Sequence, residues 1–398
     1  MRDNLSLKWK TVELKSIADV TMGQSPKSEF YNEDFEGMPF LQGNKTFGDK
    51  YPSFELYTTS VKKVAKKSSV LMSVRAPVGD LNIAQEDICI GRGVCGLQMK
   101  KGDNEFLYYL LMANISNLIN KESGTVFGSI NKNDIETFEV TLPESLEDQK
   151  KILTILKDID GKIEACKNMN RTLEDLLISI YNNWFVYFEN CSEFKPDENF
   201  GKIPKSWSVE MLNDHVDFVT GVEPGSKNYH EKPEPNDIPF IRVGDLGSRD
   251  NMVFIDKSIS KNKILVYDDI VLSLDATVGI VKMGLEGAYS TGMRKLVIKT
   301  DEINKSFLYC LVKSKRIQRI IETFATGTTI LHAGKSIKHM DFVLPDKTTM
   351  DEFNKFGEPI LSQILSNKKE IENLTQLRDE LLPKLMSGEI DISKILID

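Results

Sequence analysis

The sequence has 398 residues, of which 40% are hydrophobic and 28% are charged, and its formal net charge is −8. This length allows two or three domains with cores of their own, and the composition is that of an ordinary globular protein. It contains no run of 18 apolar residues and no signal-peptide core, so we expect a cytoplasmic protein with no membrane partner. The acidic total alone disfavours a nucleic-acid binder, but the basic residues are clustered, so charge excludes no partner.

The cysteines and histidines argue against a disulfide framework and against a metal site. The five cysteines form no CxxC pair, and the four histidines are scattered along the chain. Structural zinc and small disulfide scaffolds both need closely spaced sets of such residues. We therefore expect reduced thiols and no bound metal.

The first part of the chain is repeated about 200 residues further along. Such self-similarity is typical of a duplicated structural unit. The matched residues are Trp9 with Trp207, Pro39-Phe40-Leu41 with Pro239-Phe240-Ile241, VLMSVRAPVG (70–79) with IVLSLDATVG (270–279), Gly124-Thr125 with Gly327-Thr328, and Leu142-Pro143 with Leu344-Pro345.

Each copy reads as a globular domain of mixed α and β structure. Short apolar segments near Gly or Pro predict strands at 69–74, 270–274 and 296–298. Helical periodicity predicts helices over 104–118 and 305–323. Scaffold positions agree between the copies while polar positions diverge, as Arg75 and Asp275 do, and this indicates one reader adapted to two targets.

A long helix is predicted after each domain, over 146–188 and 351–386. Apolar residues recur on each helix at alternating three- and four-residue steps, which places them on one stripe, here called the seam. Two helices with such seams pack against each other. The predicted seam residues are Leu156, Ile163, Asn170, Leu177, Ile364, Asn367, Ile371, Leu374 and Leu381.

The two helices are predicted to pair antiparallel and to act as a spacer. About 40 residues at ~1.5 Å each would span ~60 Å. Asn170 and Asn367 would fix the register if they lie in the seam, or they face solvent. Antiparallel pairing would relate the two copies by a pseudo-twofold axis and bring Met1 near Asp398. We expect Pro383 to bend the second helix or end it early.

Residues 91–96 form a literal G-x-G-x-x-G, which could indicate a dinucleotide site. Such a site needs a helix to begin at these glycines, but the following residues, 97–100, read as a strand. A glycine-rich loop that shapes a recognition surface fits better. The sequence also lacks a phosphate-binding loop, H-E-x-x-H and G-x-S-x-G, so no catalytic residue is predicted.

The duplication, the VLMSVRAPVG and IVLSLDATVG segments, the Gly-Thr steps that lead to Leu-Pro, and the ending LRDELLPKLMSGEI resemble the specificity subunit of type I restriction-modification systems. The resemblance covers nearly the whole chain. It implies a non-catalytic chain in which each globular half is a target-recognition domain for double-stranded DNA. It also implies two methyltransferase subunits and restriction subunits as partners. S-adenosylmethionine, ATP and Mg are expected on those partners, and no cofactor on this chain.

With this resemblance the chain divides into six predicted segments. The predicted boundaries are 1–144 for the first target-recognition domain, 145–190 for the first spacer helix, 191–202 for a linker, 203–346 for the second target-recognition domain, 347–390 for the second spacer helix, and 391–398 for a tail.

Base-reading residues are nominated by chemical type. Arg, Lys, Asn and Gln donate or accept in the major groove, and Asp accepts from cytosine. Each nominated residue could equally be part of a surface ion pair or a loop cap. The candidates are Gln42, Asn44, Lys45, Arg75 and Arg92 in the first domain, Arg242, Asp245, Asp275, Arg294 and Lys335 in the second, and Lys62, Lys63, Lys66 and Lys67 as phosphate contacts.

Two alternatives stay open at this point. One is a stand-alone nucleotide- or S-adenosylmethionine-dependent enzyme built around residues 91–96. The other is a coiled-coil scaffold whose domains bind proteins. The lysine run 62–67 and a second basic run at 313–319 could each be a binding patch or a solvated face. Trp9 and Trp207 are interpreted as core residues rather than stacking platforms.

Overall fold

The computed structural model describes residues 8–120, 128–247, 252–328 and 330–392. The chain forms two compact units. Unit 1 contains Met1–Lys162 and Leu374–Asp398, and unit 2 contains Ile163–Asn373. Each unit therefore combines one globular domain with a part of both long helices.

The first domain is built on two sheets, with strand orders β2-β10-β7-β8 and β3-β5-β4-β9-β6, and on the pair β1-β11. The helix α2 packs its apolar residues into the same core as the four-stranded sheet. The elements are β1 Trp9–Glu13, α1 Leu14–Ile17, β2 Ala18–Met22, β3 Tyr31–Asn32, β4 Met38–Leu41, β5 Tyr57–Thr58, β6 Val64–Ala65, β7 Val70–Ser73, β8 Leu81–Ile83, β9 Ile88–Ile90, β10 Val94–Met99, α2 Asn104–Asn120, α3 Lys132–Glu136 and β11 Glu139–Pro143.

The second domain repeats this architecture with strand orders β15-β23-β19-β21 and β17-β16-β22-β18 and the pair β14-β25. Both domains have mixed α/β structure, which confirms the predicted fold class and the duplication. The elements are β14 Ser208–Met211, α5 Leu212–His215, β15 Val216–Thr220, β16 Asp237–Ile241, β17 Val253–Asp256, β18 Ile264–Leu265, β19 Ile270–Ser273, β20 Asp275–Ala276, β21 Val281–Lys282, β22 Gly287–Tyr289, β23 Met293–Ile298, α6 Lys305–Lys313, α7 Lys315–Thr323, β24 Leu331–His332 and β25 Asp341–Leu344.

The repeated segment after β7 and β19 is a turn held by a serine. The Ser73 hydroxyl donates to the Pro77 carbonyl at 2.8 Å and accepts from the Asp80 N–H at 2.9 Å. Ser273 forms the same two bonds, to Thr277 and from Ile280, at 2.6 and 2.8 Å. Gly79 and Gly279 both have positive φ, 98° and 87°, which a side chain would strain. These requirements explain why serine and glycine occur in both copies.

The two long helices are α4, Leu146–Tyr181, and α8, Lys347–Ser387. A π-helical turn, Asn182–Val186, extends α4. Within unit 2 the order of contacts along α8 is reversed relative to α4, because Asn170 bonds to Ile364 while Trp184 lies against Phe356. The helices are therefore antiparallel. Within unit 1 the start of α4 and the end of α8 share the apolar core of the first domain.

The seam residues differ in burial along the helices. Leu156, Ile163, Leu177, Ile364 and Asn367 are buried, and Asn170, Ile371, Leu374 and Leu381 are half-buried. Asn367 donates to the Asn170 side-chain oxygen at 2.8 Å, and Asn170 donates to the Ile364 carbonyl at 3.1 Å. Both amides therefore face the partner helix rather than solvent, and an axial slip would break their bonds.

Two predicted element boundaries need correction. The predicted helix 305–323 is two helices, because Ser314 has extended backbone angles and its hydroxyl accepts from the Ile317 N–H as the cap of α7. Of the two effects expected of Pro383, an early end of the second long helix is not observed, because α8 continues to Ser387. Burial of Leu385 and Met386 in the core of unit 1 offsets the lost helix hydrogen bond.

The linker and the C-terminal end of the second long helix also have defined structure. The predicted linker contains a hairpin of β12, Phe194–Asp197, and β13, Gly201–Pro204. The helix α8 ends before Gly388, which has positive φ and lies against Trp9 with no room for a side chain. Trp207 is buried and Trp9 is half-buried against the core of unit 1, as predicted. The predicted contact of Met1 with Asp398 and the Gly124-Thr125 step lie outside the described residues.

Candidate nucleic-acid interface

One cleft of about 510 Å³ in the first domain brings together all five polar residues nominated there. Two of its walls are formed by residues that come after the parallel strands β4 and β9, in which Phe40 pairs with Cys89. Gln42, Asn44 and Lys45 come directly after β4, Arg92 follows β9, and Arg75 follows β7. The ends of three strands therefore present donor side chains to one concave surface.

The glycines of the G-x-G-x-x-G segment allow this close approach. The Gly93 N–H donates to the Gln42 carbonyl at 3.1 Å, and a Cβ on Gly93 would lie 2.6 Å from that oxygen. A Cβ on Gly91 would lie 3.0 Å from the Gln42 Cα. No helix begins here, since β10 starts at Val94. The motif shapes the cleft, and its geometry is not that of a dinucleotide site.

The two arginines of the cleft differ from Lys45 and Asn44 in whether the side chain already binds a carboxylate of this chain. Arg75 and Arg92 are exposed, and neither guanidinium forms an ion pair with a residue that the structure describes. By contrast, Lys45 contacts the Glu55 carboxylate at 2.8 Å, a hydrogen bond that raises the pKa of Lys45. Asn44 donates to Asp80. The cleft therefore offers two charged donor groups that are free to bind an external acceptor.

At the equivalent edge of the second domain, two nominated residues bind each other. The Asp245 carboxylate accepts from Nε and Nη2 of Arg242, both at 2.9 Å, and from the Arg242 N–H at 2.8 Å. The hydrogen bond to Asp245 raises the pKa of Arg242. Asp245 thus holds the Arg242 side chain in one orientation.

A second group in this domain joins Asp275 to His332 and Arg294. His332 Nδ1 lies 2.7 Å from one Asp275 carboxylate oxygen, and Arg294 Nη2 lies 3.9 Å from the other. The Arg294 side chain is only 14% exposed and donates to the carbonyls of Thr291 and Met293. Burial lowers the pKa of Arg294. Arg294 therefore supports the loop beneath the surface, while the Asp275 side chain is 24% exposed.

His332 was not among the residues nominated from the sequence. It reaches Asp275 through the short pair β20-β24, which joins segments 57 residues apart in the chain. No local pattern signals such a pairing. Lys335 is exposed in the 3₁₀ turn Gly334–His339, which follows β24.

The lysine run 62–67 flanks the short edge strand β6. Lys62, Lys63, Lys66 and Lys67 are all exposed, and Lys66 contacts the Asp87 carboxylate at 2.8 Å. The other basic run is used within unit 2, since Lys313 binds Glu174 and Arg316 binds Asp341. Of the interpretations left open for this second run, a solvated face does not describe those two residues.

The strand registers define which positions of the two domains are equivalent. Leu41 pairs with Ile90 in the first domain, and Ile241 pairs with Tyr289 in the second. The N–H groups of Val74 and Leu274 both donate to a glycine carbonyl, of Gly93 and Gly292 respectively, at 2.9 Å. The glycine segment is thus offset by 199 residues between the two domains. The equivalent polar positions are Gln42 with Arg242, Lys45 with Asp245, Arg75 with Asp275, and Arg92 with Thr291.

The described residues contain neither a helix suited to a membrane nor a cluster of metal ligands. No helix in the described residues combines the length and the apolar character needed to cross a membrane. No group of three or more His, Cys, Asp or Glu side chains in the same residues is arranged to hold a metal ion.

The fold and the cleft together define a duplicated recognition protein whose two copies differ in surface charge. The family model described as type I restriction modification DNA specificity domain matches residues 6–175 and 204–378. These two matches cover most of the chain, once for each copy. The protein belongs to this family of DNA specificity subunits.

Similar proteins agree with this assignment. The MjaIX type I restriction enzyme specificity subunit of Methanocaldococcus jannaschii is 26% identical and covers 97% of this chain and 94% of its own. The HindI specificity subunit of Haemophilus influenzae is 25% identical, with 96% and 99% covered. A crystal structure of the type I restriction-modification S subunit of M. genitalium has the same fold, with a TM-score of 0.58 at 18% identity over 97% of this chain and 98% of that one.

Proposed function

We propose that this chain recognises a bipartite, asymmetric DNA sequence, with one half-site for each globular domain and an unread gap between them. The observation that carries the proposal is the first-domain cleft, where five major-groove-type donors and acceptors converge. The duplication supports two half-sites. The different residues at equivalent positions support half-sites of different sequence.

The chain is proposed to be a non-catalytic, cytoplasmic member of a larger complex. Its proposed partners are double-stranded DNA, two methyltransferase subunits and restriction subunits. S-adenosylmethionine, ATP and Mg would be bound by those partners and not by this chain. The net charge of −8 supports a contribution of phosphate contacts by partners, because an acidic chain alone repels the DNA backbone.

Selection of bound duplexes from a random DNA pool tests the proposal directly. The complete chain, with its methyltransferase partners supplied, should enrich two short motifs a fixed distance apart. A pool that stays random would contradict DNA reading and favour the protein-binding scaffold. Micromolar binding of S-adenosylmethionine or NAD to the isolated chain, measured by calorimetry, would favour a stand-alone enzyme.

The helices are proposed to set the gap, and the structure suggests how to shorten them without disturbing their polar contacts. Asn170 contacts Asn367 in unit 2, and Asp160 contacts Arg378 at 3.1 Å in unit 1. Deleting 161–167 and 371–377 removes one heptad from each helix between these pairs.

The deletion variant should still bind DNA, with a gap shortened by ~10 Å, or about three base pairs. Deleting seven residues from α4 alone is the control, because it breaks the register and should abolish selection of a bipartite site. An unchanged gap in a folded double-deletion variant would show that the helices do not set the distance.

A further inference from the structure

Two of the four equivalent polar positions of the domains carry opposite charges. Lys45 and Arg75 in the first domain correspond to Asp245 and Asp275 in the second, on the strand registers given above. A guanidinium donates hydrogen bonds and cannot accept them, whereas a carboxylate only accepts. Because the scaffolds are alike, the chemistry of the bound bases must differ between the domains.

We infer that the first domain reads guanine through Arg75 and Arg92, and that the second domain reads an exocyclic amino group, of cytosine or adenine, through Asp275. This inference rests on the proposed function, since it assigns the bases that the two domains would bind. It goes further in naming the residue that sets each base preference.

The guanidinium groups of Arg75 and Arg92 are donors suited to guanine. Arg75 and Arg92 both line it, both are exposed, and within the described residues no carboxylate pairs with either. Guanine is the base that presents two acceptors, O6 and N7, in the major groove, and an arginine fork matches them. Lys45 is a weaker candidate because Glu55 already binds its ammonium group.

Asp245 and Asp275 differ in how much hydrogen-bond acceptor capacity remains for a base amino group. Asp245 is only 11% exposed and accepts three hydrogen bonds from Arg242, so it is a positioning residue for that arginine. Asp275 accepts at 2.7 Å from His332 on one oxygen, and its other oxygen is 3.9 Å from Arg294. A carboxylate has about four lone-pair sites, so the partly exposed Asp275 can accept from cytosine N4 or adenine N6.

The test is selection of DNA by the complete chain with its methyltransferase partners, compared among point variants. R75A and R92A should each relax a guanine position in one half-site and weaken binding of the selected duplex roughly 5- to 150-fold. D275A should relax a cytosine or adenine position in the other half-site. R319A, which removes an exposed arginine of α7 outside the cleft, should leave both base preferences unchanged.

Two conservative variants separate base reading from other roles. R75K keeps the charge but loses the two-pronged donor, so a guanine contact is weakened while a phosphate contact is largely retained. D275N keeps the side-chain shape and should shift the preferred base towards adenine, which asparagine binds through N6 and N7.

The outcomes distinguish this inference from the proposed function. If the unmodified chain selects no bipartite site, the proposed function fails. If it selects one, but R75A and R92A weaken all sequences alike with a smaller salt dependence, these arginines contact phosphate and the inference for the first domain is overturned. Unchanged base preference in D275A and D275N would overturn the inference for the second domain.

Discussion

The first and second domains use one scaffold to hold charged side chains in two different ways. In the first domain Arg75 and Arg92 extend into a cleft without an ion pair to any described residue. In the second domain Arg242 is held by Asp245, and Asp275 contacts His332 and Arg294. The strands and the serine-held turn are the same, so the difference comes from a few substitutions after strand ends. A duplicated reader can therefore change its target without changing its core.

The two domains also differ in how tightly a glycine is enclosed, and this predicts the largest effect. A Cβ on Gly93 would lie 2.6 Å from the Gln42 carbonyl oxygen, whereas a Cβ on Gly292 would meet only the Cγ2 of Val243 at 2.7 Å. A backbone atom cannot move away as a methyl group can. G93A should therefore lower the free energy of unfolding by about 2–3 kcal/mol, and G292A by about 1 kcal/mol.

Chemical denaturation of both variants measures this difference. G43A is the control, because a Cβ there has open space and the substitution should change stability by less than about 0.5 kcal/mol. Equal losses for G93A and G43A would mean that the contact between residues 42 and 93 is not important for stability.

Each unit has one acidic residue of α4 that binds the adjacent domain, and the comparison of the two predicts the next effect. Asp160 in unit 1 accepts from Tyr109 and contacts Arg378 at 3.1 Å and Lys50 at 3.5 Å. Glu174 in unit 2 binds Tyr309 at 2.6 Å and Lys313.

D160A removes the hydrogen-bond acceptor of Tyr109 and one of the two carboxylates that contact each of Lys50 and Arg378, so it should lower the free energy of unfolding by about 2 kcal/mol. E174A removes a carboxylate that binds one tyrosine and one lysine, and it should lower the free energy of unfolding by about 1 kcal/mol. Thermal unfolding of both variants measures the order. Substituting Asp158, which is exposed on the same helix, should have little effect. A larger loss for E174A than for D160A would contradict the comparison.

Acid sensitivity is predicted for both units. Burial would raise the pKa of Glu105, but hydrogen bonds from Lys157 and Lys50 lower it below its ordinary value of 4.5. Burial would likewise raise the pKa of Glu174, but hydrogen bonds from Lys313 and Tyr309 lower it below its ordinary value of 4.5. Since the folded-state pKa is lowered, the stabilisation is present above pH 4.5 and is lost as the pH falls through the folded-state value.

Unfolding curves between pH 6 and pH 3 check this prediction. E105Q and E174Q should each be less stable than the unmodified chain at pH 6 and should lose less stability on acidification. Parallel pH profiles for the variants and the unmodified chain would show that neither carboxylate contributes to the acid response.

The smallest effect should appear near neutral pH and only in the second domain, because all four histidines lie after residue 200. His230 Nδ1 lies 2.6 Å from the Asp237 carboxylate, a hydrogen bond that raises the pKa of His230. The folded state therefore binds the proton more tightly. Its stabilising contribution is complete below the ordinary value of 6.5 and is lost as the pH rises through the folded-state pKa.

Proton NMR titration of the histidine ring should give a His230 pKa above 6.5. D237N should bring that pKa back towards the ordinary value. A His230 pKa at or below 6.5 in the unmodified chain would contradict the ion pair. The first domain should show no stability change over the same pH range.

The duplication, the mixed α/β class and the two long helices with their seams could all be predicted from the amino-acid sequence. These features are periodic or repeated, so they are readable from spacing alone. The sequence also predicted that 91–96 would continue as a strand, because no helix signal follows those glycines. The five residues nominated in the first domain were chosen by chemical type, and their spacing of up to 50 residues did not reveal that they share one cleft.

Which of those charged side chains are free and which already bind another residue becomes visible only in the folded chain. Arginine side chains are usually exposed, yet the guanidinium of Arg294 lies below the surface and donates to backbone carbonyls. His332 reaches Asp275 through the strand pair β20-β24, which no local sequence signal predicts. The split of 305–323 at Ser314 and the continuation of α8 past Pro383 were likewise decided by packing against the unit cores. Local sequence specifies element type, whereas the partner of a charged side chain depends on long-range contacts between strand ends, which spacing along the chain does not encode.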